Sequence, residues 1–355
     1  MNNFFKIVFL FTIGLTVISC SKSDNNTEPL RNYAEQYAKD LTSIETYMDT
    51  HYMEVTDNPG ATNDQDVTFT LIPEGDTTHP SILDQTTYPI LTRYVTVKQN
   101  DVDVTYKMYY IQLRQGSGAN SKSPCNVDRV LTAYRGEYIY SSTETIEVGP
   151  PPVTITTIKS TEFEESINPQ NYFNLTAVIR GWSEIFPQFK TGTYSGNPDG
   201  TTSYYDFGAG VMFIPSGLAY FSTSTGGIPA YSPLIFSFKL YEIQRMDQDA
   251  DGIYSYQEDL ATSTTNNDGT VTVTAGVPDG YVYTMAADIV NPDDTDGDEV
   301  PDFLDVDDDG DFFTTASEIK NPITGEVYPF ADIPTCGGSG NGKKKYLDPS
   351  CHAQP

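Results

Sequence analysis

The sequence predicts an α+β fold built mainly of antiparallel strands, and three observations predict it. Tyrosine stands at 25 positions and threonine is abundant, residue types that suit a pleated, half-buried surface. Between about residues 65 and 245 the apolar residues fall in short alternating runs: Tyr106–Leu113, Val127–Tyr134, Thr143–Val148, Val153–Ile158, Val211–Ile214 and Leu234–Leu240. That is the period of strands. Helical spacing is confined to short stretches. Residues 31–52 set Tyr33, Tyr37, Leu41, Ile44 and Met48 at steps of four, four, three and four, a stripe suited to packing onto the strands. A second, short helix is expected over Ser183–Phe189. Gly149-Pro150-Pro151-Pro152 and Asn197-Pro198-Asp199-Gly200 read as hairpin tips.

Length and charge bound the function. The chain has 355 residues, enough for one large domain or two smaller ones, and carries 49 acidic against 20 basic residues, a net charge of −29. Nucleic acid is excluded as a partner, because phosphate binding needs a Lys/Arg face. Three histidines and no HExxH leave little material for a histidine-built zinc or di-iron enzyme. The sequence also has no Walker loop and no GxGxxG.

The N-terminus reads as an address. Residues 1–19 hold Lys6 and then an apolar run from Ile7 to Ile18, too short to span a bilayer. The run ends in Val17-Ile18-Ser19-Cys20, which resembles a bacterial lipobox: Cys20 would be acylated and become the new N-terminus. Ser21–Glu28 is then a polar tether, and the expected location is lipid-anchored in a bacterial envelope, the outer membrane first, with the face left open. Export permits disulfides. Cys336 and Cys351 flank a Gly-rich, Lys-containing tail and are the favoured pair, with Cys125 a buried or free thiol; spacing leaves Cys125 open as a partner.

After about Arg245 the composition turns Asp-rich and the alternation stops. The expected partition is a leader over 1–19, tether and helix over 20–64, a strand-rich domain over 65–245, an acidic region over 246–325 and a Cys-containing tail over 326–355. Asp247 to Glu258 fits a twelve-residue EF-hand calcium loop, with oxygen donors Asp247, Asp249, Asp251, Ser255 and Glu258 at positions 1, 3, 5, 9 and 12 and Gly252 at position 6. A second run, Asp294, Asp296 and Asp298 onward, resembles thrombospondin type 3 or dockerin repeats. Within it, counting from Asp307, the residues Asp309, Asp311 and Glu318 fall at 3, 5 and 12, while Phe312 takes the glycine position. A structural calcium ion is the expected cofactor of this region; close carboxylates otherwise repel.

Three blocks between these regions carry a resemblance. Val178-Ile179-Arg180-Gly181-Trp182-Ser183-Glu184, Ile214-Pro215-Ser216-Gly217-Leu218-Ala219-Tyr220 and Gly227-Ile228-Pro229-Ala230-Tyr231-Ser232-Pro233-Leu234-Ile235-Phe236 occur in this order. Upstream stand Ala133-Tyr134-Arg135-Gly136 and Glu162-Phe163-Glu164-Glu165-Ser166. Over about residues 105–245 the chain resembles the FK506-binding-protein (FKBP) type of peptidyl-prolyl cis-trans isomerase. The resemblance implies a twisted antiparallel sheet wrapped around a short helix, with an apolar pocket between them. It implies Trp182 as the pocket floor, with Tyr134, Phe163, Val178, Ile179, Ile228 and Phe236 as walls and the Tyr220 hydroxyl as a donor at the rim. Glu164 stands where the family has Asp, and Phe221 where it has Gly after the rim tyrosine. The loop before Val178 is short, which leaves Tyr172 and Phe173 as alternatives for one further wall aromatic.

The activity implied is rotation of X-Pro bonds in proline-containing polypeptides, with no cofactor for catalysis. Two other readings stay open: a proline-binding chaperone without useful catalysis, and a calcium-dependent surface module on the same scaffold.

Overall fold

A computed structural model describes residues 29–99, 102–146, 151–265, 271–275, 280–282, 291–336 and 342–351, with the backbone alone for 261–265 and 271–275. The apolar leader, Cys20, the tether and the Gly149-Pro150 half of one hairpin tip lie outside these residues. The chain divides into Met1–Leu30 and Arg31–Pro355.

Helix α1, Tyr33–Thr50, starts at Asn32, whose side chain accepts the Glu35 N–H at 3.1 Å and so satisfies one orphan donor. The helix runs directly into β1, His51–Val55, which pairs with β2, Val67–Leu71. The main sheet follows. Its strands are β3 (Ile90–Gln99), β4 (Val102–Arg114), β5 (Arg129–Ile146), β6 (Val153–Ser166) and the short β7 (Phe173–Asn174). Helix α2, Arg180–Ile185, comes next, then the small hairpin β8 (Thr193–Gly196) and β9 (Thr202–Tyr205) around the predicted Asn197–Gly200 tip. Strands β10 (Gly208–Ile214) and β11 (Leu234–Gln244) complete the sheet. Its order is β3-β4-β10-β11-β5-β6, with β7 on β5, and every pairing is antiparallel.

The alternation of side chains explains how one sheet serves two cores. Met212, Ile214, Phe236 and Phe238 face α2, where they pack with Trp182, Ile185, Phe186 and Phe189. Val211, Phe213 and Ile235 face the other way, onto Ile44, Tyr47 and Met48 of α1 and Val67 of β2. Strand β10 is therefore buried at every position.

The predicted stripe of α1 does pack on the body, but the buried positions also include Gln36 and Asp40. Asp40 is satisfied in place: it accepts from the Ser216 N–H at 2.8 Å, the Ser216 hydroxyl at 2.6 Å and the Gln36 amide at 2.6 Å. Burial outweighs these bonds and raises its carboxyl to about 6. Cys336 pairs with Cys351, and Cys125 is a buried free thiol. The acidic segment opens beside the sheet, where Arg245 pairs with the buried Asp128. It contains a ribbon of β12 (Ala261–Thr265) and β13 (Val271–Ala275) and the single-turn helix α3 (Thr315–Glu318). No helix among the described residues is long and apolar enough to cross a membrane.

Candidate functional site

A cavity of about 580 Å³ opens between α2 and the sheet, and its walls hold most of the predicted residues. Tyr134, Phe163, Glu164, Val178, Ile179, Trp182, Tyr220 and Phe236 all line it. Ile228 does not. It is buried in the core cluster that also holds Trp182 and Phe236, and its backbone bridges to Thr225. Phe173, rather than the half-exposed Tyr172, is the further aromatic wall. Ala177, Arg180 and Ala219 also line the cavity without having been singled out by sequence.

Trp182 is the centre of the aromatic cluster. Its ring meets Tyr134, Phe173, Phe186 and Phe236 edge-on, at centroid distances of 5.0, 5.4, 5.3 and 5.2 Å, the arrangement that ring quadrupoles favour. The indole N–H is buried and has no partner within the protein, so a ligand acceptor would meet an unsatisfied donor. Helix α2 is held in place at its outer side by Glu184. That carboxylate is buried, at 3% side-chain exposure, and pairs with Arg93 of β3 at 3.0 Å and with Arg180 at 2.5 Å.

Two backbone features place the remaining walls. The β5–β6 register shifts between Gly136 and Glu137, so that Glu164 faces Gly136 and Glu162 faces Glu137, with Phe163 the extra residue of a bulge. Bulges re-aim side chains beside sites, and here the Phe163 ring lies over Gly136 and meets Phe236 at 5.7 Å. A Cβ on Gly136 would come within 2.5 Å of Phe163 and 2.8 Å of Phe236, so the missing side chain makes room for both rings. The second feature is Phe221. Its φ of +46° is the left-handed conformation in which the family pattern has glycine. The ring turns away from the cavity and stacks on Tyr33 of α1 at 4.1 Å. Glu164 lies beside the tyrosines: after burial, it is the hydrogen bonding and charge of Glu164 that raise Tyr134, and its charge that raises Tyr220.

The acidic segment is arranged as loops of one design. At position 6 Gly252, Glu299 and Phe312 all take positive φ, at +106°, +78° and +74°. Each donates its N–H to the first Asp of its loop: Gly252 to Asp247 at 3.3 Å, Glu299 to Asp294 at 3.2 Å and Phe312 to Asp307 at 2.9 Å. Position 7 repeats the pattern onto Asp251, Asp298 and Asp311, at 2.6, 2.8 and 2.8 Å. Phe312 thus keeps the turn its side chain seemed to forbid, with the ring 95% exposed.

These loops leave carboxylate oxygens without donors. Asp247 Oδ1, Ser255 Oγ and both oxygens of Glu258 are buried and unpaired, as are both oxygens of Asp309 and Glu318. Burial, then Asp249 and Asp251, pushes Glu258 up to about 10; burial, then Asp309 and Asp311, pushes Glu318 up to about 8. Asp307, Asp309 and Asp311 bring one oxygen each within 4.8 Å of one another, and so do Asp294, Asp296 and Asp298. An all-oxygen set with unpaired buried carboxylates fits calcium. Counted from Asp294, the residues Asp302 and Asp305 stand at positions 9 and 12. Both oxygens of Asp302 are taken by Thr295, however, at 2.8 Å each.

Residues 248–343 match the family described as BamM C-terminal. Among curated proteins there is no match. Three solved structures are similar to part of the chain. A peptidyl-prolyl cis-trans isomerase from Pseudomonas syringae pv. tomato is 22% identical, over 39% of this chain and 76% of that one, with a TM-score of 0.26. FkpA from Escherichia coli is 24% identical, over 39% and 48%, at 0.25. The N-terminal domain of FKBP42 from Arabidopsis thaliana is 12% identical, over 39% and 86%, at 0.25.

Proposed function

We propose that this chain is a peptidyl-prolyl cis-trans isomerase that acts on exported polypeptides, anchored to the envelope through an acylated Cys20 and steadied by calcium in its acidic extension. The observation that carries this reading is the aromatic cavity itself, with Trp182 as its floor and Tyr134, Phe163, Phe173 and Phe236 around it.

Prolyl isomerisation asks for such a place. The X-Pro amide must lose its resonance while it twists, against a barrier of about 18–20 kcal/mol. No bond to a nucleophile forms and no proton needs to move. A dry aromatic cavity solvates the dipolar planar amide poorly, and so favours the less polar twisted state. The Tyr220 hydroxyl at the rim and the Ile179 backbone N–H would hold the flanking carbonyls while the ring of the proline sits on Trp182. Lowering the barrier by about 5–8 kcal/mol would accelerate the reaction about 10⁴- to 10⁶-fold.

The test is a protease-coupled proline-peptide assay on the full chain. Wild type should accelerate cis-to-trans conversion. Tyr220→Phe should keep the fold and lose about two- to tenfold in turnover, the worth of one hydrogen bond. Unchanged kinetics and peptide affinity would remove Tyr220 from the rim-donor role. The same assay separates this reading from a proline-binding module without useful catalysis, which would bind the peptide and leave its isomerisation rate unchanged.

The anchor has its own test. Cys20→Ala should abolish incorporation of radiolabelled palmitate, since two or more acyl chains give stable attachment only where the cysteine is present to carry them. Equal labelling of wild type and variant would sink the lipobox assignment.

A further inference from the structure

Asp308 belongs to the Asp307–Glu318 loop but takes no part in that loop's own group. It stands at position 2, between the alternating residues 307, 309 and 311. Its side chain instead meets the other loop: Asp308, Asp249, Asp251 and Glu258 bring one oxygen each within 4.8 Å of one another. Three of the four are closed off from solvent, Asp308 and Glu258 each 1% exposed and Asp251 4%, and Asp249 is partly buried. Neither oxygen of Asp308 and neither oxygen of Glu258 has a hydrogen-bond partner. Three buried carboxylates and a partly buried fourth in such a space, with both oxygens of two of them unsatisfied, must be neutralised, by protons or by a cation.

We infer that Asp308 is a ligand of the ion held by the Asp247–Glu258 loop, so that one calcium ion ties together two loops separated in the chain by the β12–β13 ribbon. The inference rests on the proposal that the Asp247–Glu258 loop binds calcium. A second contact between the same loops supports it. Ile253, at position 7 of the first loop, and Ile319, directly after the second, are buried in one apolar cluster with Tyr346 and Leu347 of the disulfide-closed tail. The loops are therefore packed on each other, and the Tyr346 hydroxyl is likewise buried without a partner. The Asp307–Glu318 loop then serves two ions, with Asp307, Asp309 and Asp311 turned to its own and Asp308 at position 2 to its neighbour's.

Calorimetric calcium titration of the full chain tests this, together with melting in calcium and in chelator. Asp308→Asn should weaken one calcium site by about tenfold or more, because affinity follows the number of charged ligands. In chelator it should melt no lower than wild type, since it removes one charge from a repelling group. Paired with Glu258→Gln the losses should be non-additive, and paired with Glu318→Gln additive, because only the first pair holds the same ion. If Glu258→Gln weakens binding while Asp308→Asn titrates like wild type, the cross-loop ligand is wrong and the loop assignment survives. An Asp308→Asn chain that melts lower than wild type in chelator also overturns it, since the residue is then a structural group independent of the ion. A wild-type chain that binds no calcium overturns both.

Discussion

Replacing Trp182 by alanine should destabilise the protein by about 3–5 kcal/mol, the range for deleting a buried ring of this size. The magnitude follows from its place: the side chain is 4% exposed and touches four other rings from four directions. Tyr134 and Phe236 are fixed by strands that pair with each other, Tyr134 opposite Phe238 and Gly136 opposite Phe236. They cannot move in to fill the hole, so the cavity term adds to the lost transfer energy. Urea unfolding should show a lower midpoint with an unchanged slope. Prolyl isomerase activity should fall to the uncatalysed rate even where the variant remains folded, because the proline loses its floor. A loss of stability below about 1 kcal/mol would mean that the ring is not the packing centre of this core.

Removing calcium should be the other large effect. An ion present at a hundred times its Kd contributes about 2.7 kcal/mol per site, and Glu258→Gln should forfeit most of that at the first loop. Position 12 offers two oxygens of a full carboxylate, whereas an amide offers one neutral oxygen. The pocket residues lie between Tyr134 and Phe236, so isomerase activity should change far less than melting temperature. The pH dependence supplies a sharper signature. In chelator, the folded chain holds Glu258 near 10, Glu318 near 8 and Asp251 near 6, against about 4 in the unfolded chain. The folded state then binds more protons than the unfolded one, and stability falls as pH rises from about 4 toward 8. With calcium bound the carboxylates are held as anions, protons compete with the ion, and stability falls as pH decreases. Melting curves at several pH values, with calcium and with chelator, should slope in opposite directions. Parallel slopes would reject a bound ion.

The pocket was legible in the sequence because its aromatic residues sit in ordered blocks, and eight of the nine named residues line the cavity. Ile228 belongs instead to the buried core that also holds Trp182 and Phe236, a distinction that no periodicity records. The two alternating runs around Val127–Tyr134 and Thr143–Val148 are one strand, β5, in the structure. Gly136 interrupts the alternation, and the compensating bulge at Phe163 is carried by the partner strand. Helix α2 starts three residues before the predicted Ser183, at Arg180, because Ile179 gives it no side-chain cap to read. Asp40 looks like a solvent-facing helix position until Ser216, far along the chain, supplies its donors, and Gln36 is buried with it because its amide donates to Asp40. Asp308 was overlooked for a related reason: a spacing rule assigns ligands within one loop and is blind to a carboxylate offered by another.

The strand order has a kinetic consequence. β3–β4 and β5–β6 are each joined locally, but β10 and β11 are what connect them, with Val211 paired to Ile111 on one side and Phe236 to Gly136 on the other. A chain that has emerged only as far as Asp206 holds two separate ribbons, each marginal in water, and a tryptophan floor with nothing to roof it. Closure of the sheet waits for the last hundred or so residues of contact separation to be bridged, which places folding in the slow, non-local regime of about milliseconds to seconds. Until that moment the aromatic surface is open to solvent and to other chains, so the chain passes through an aggregation-prone state before its own cavity exists.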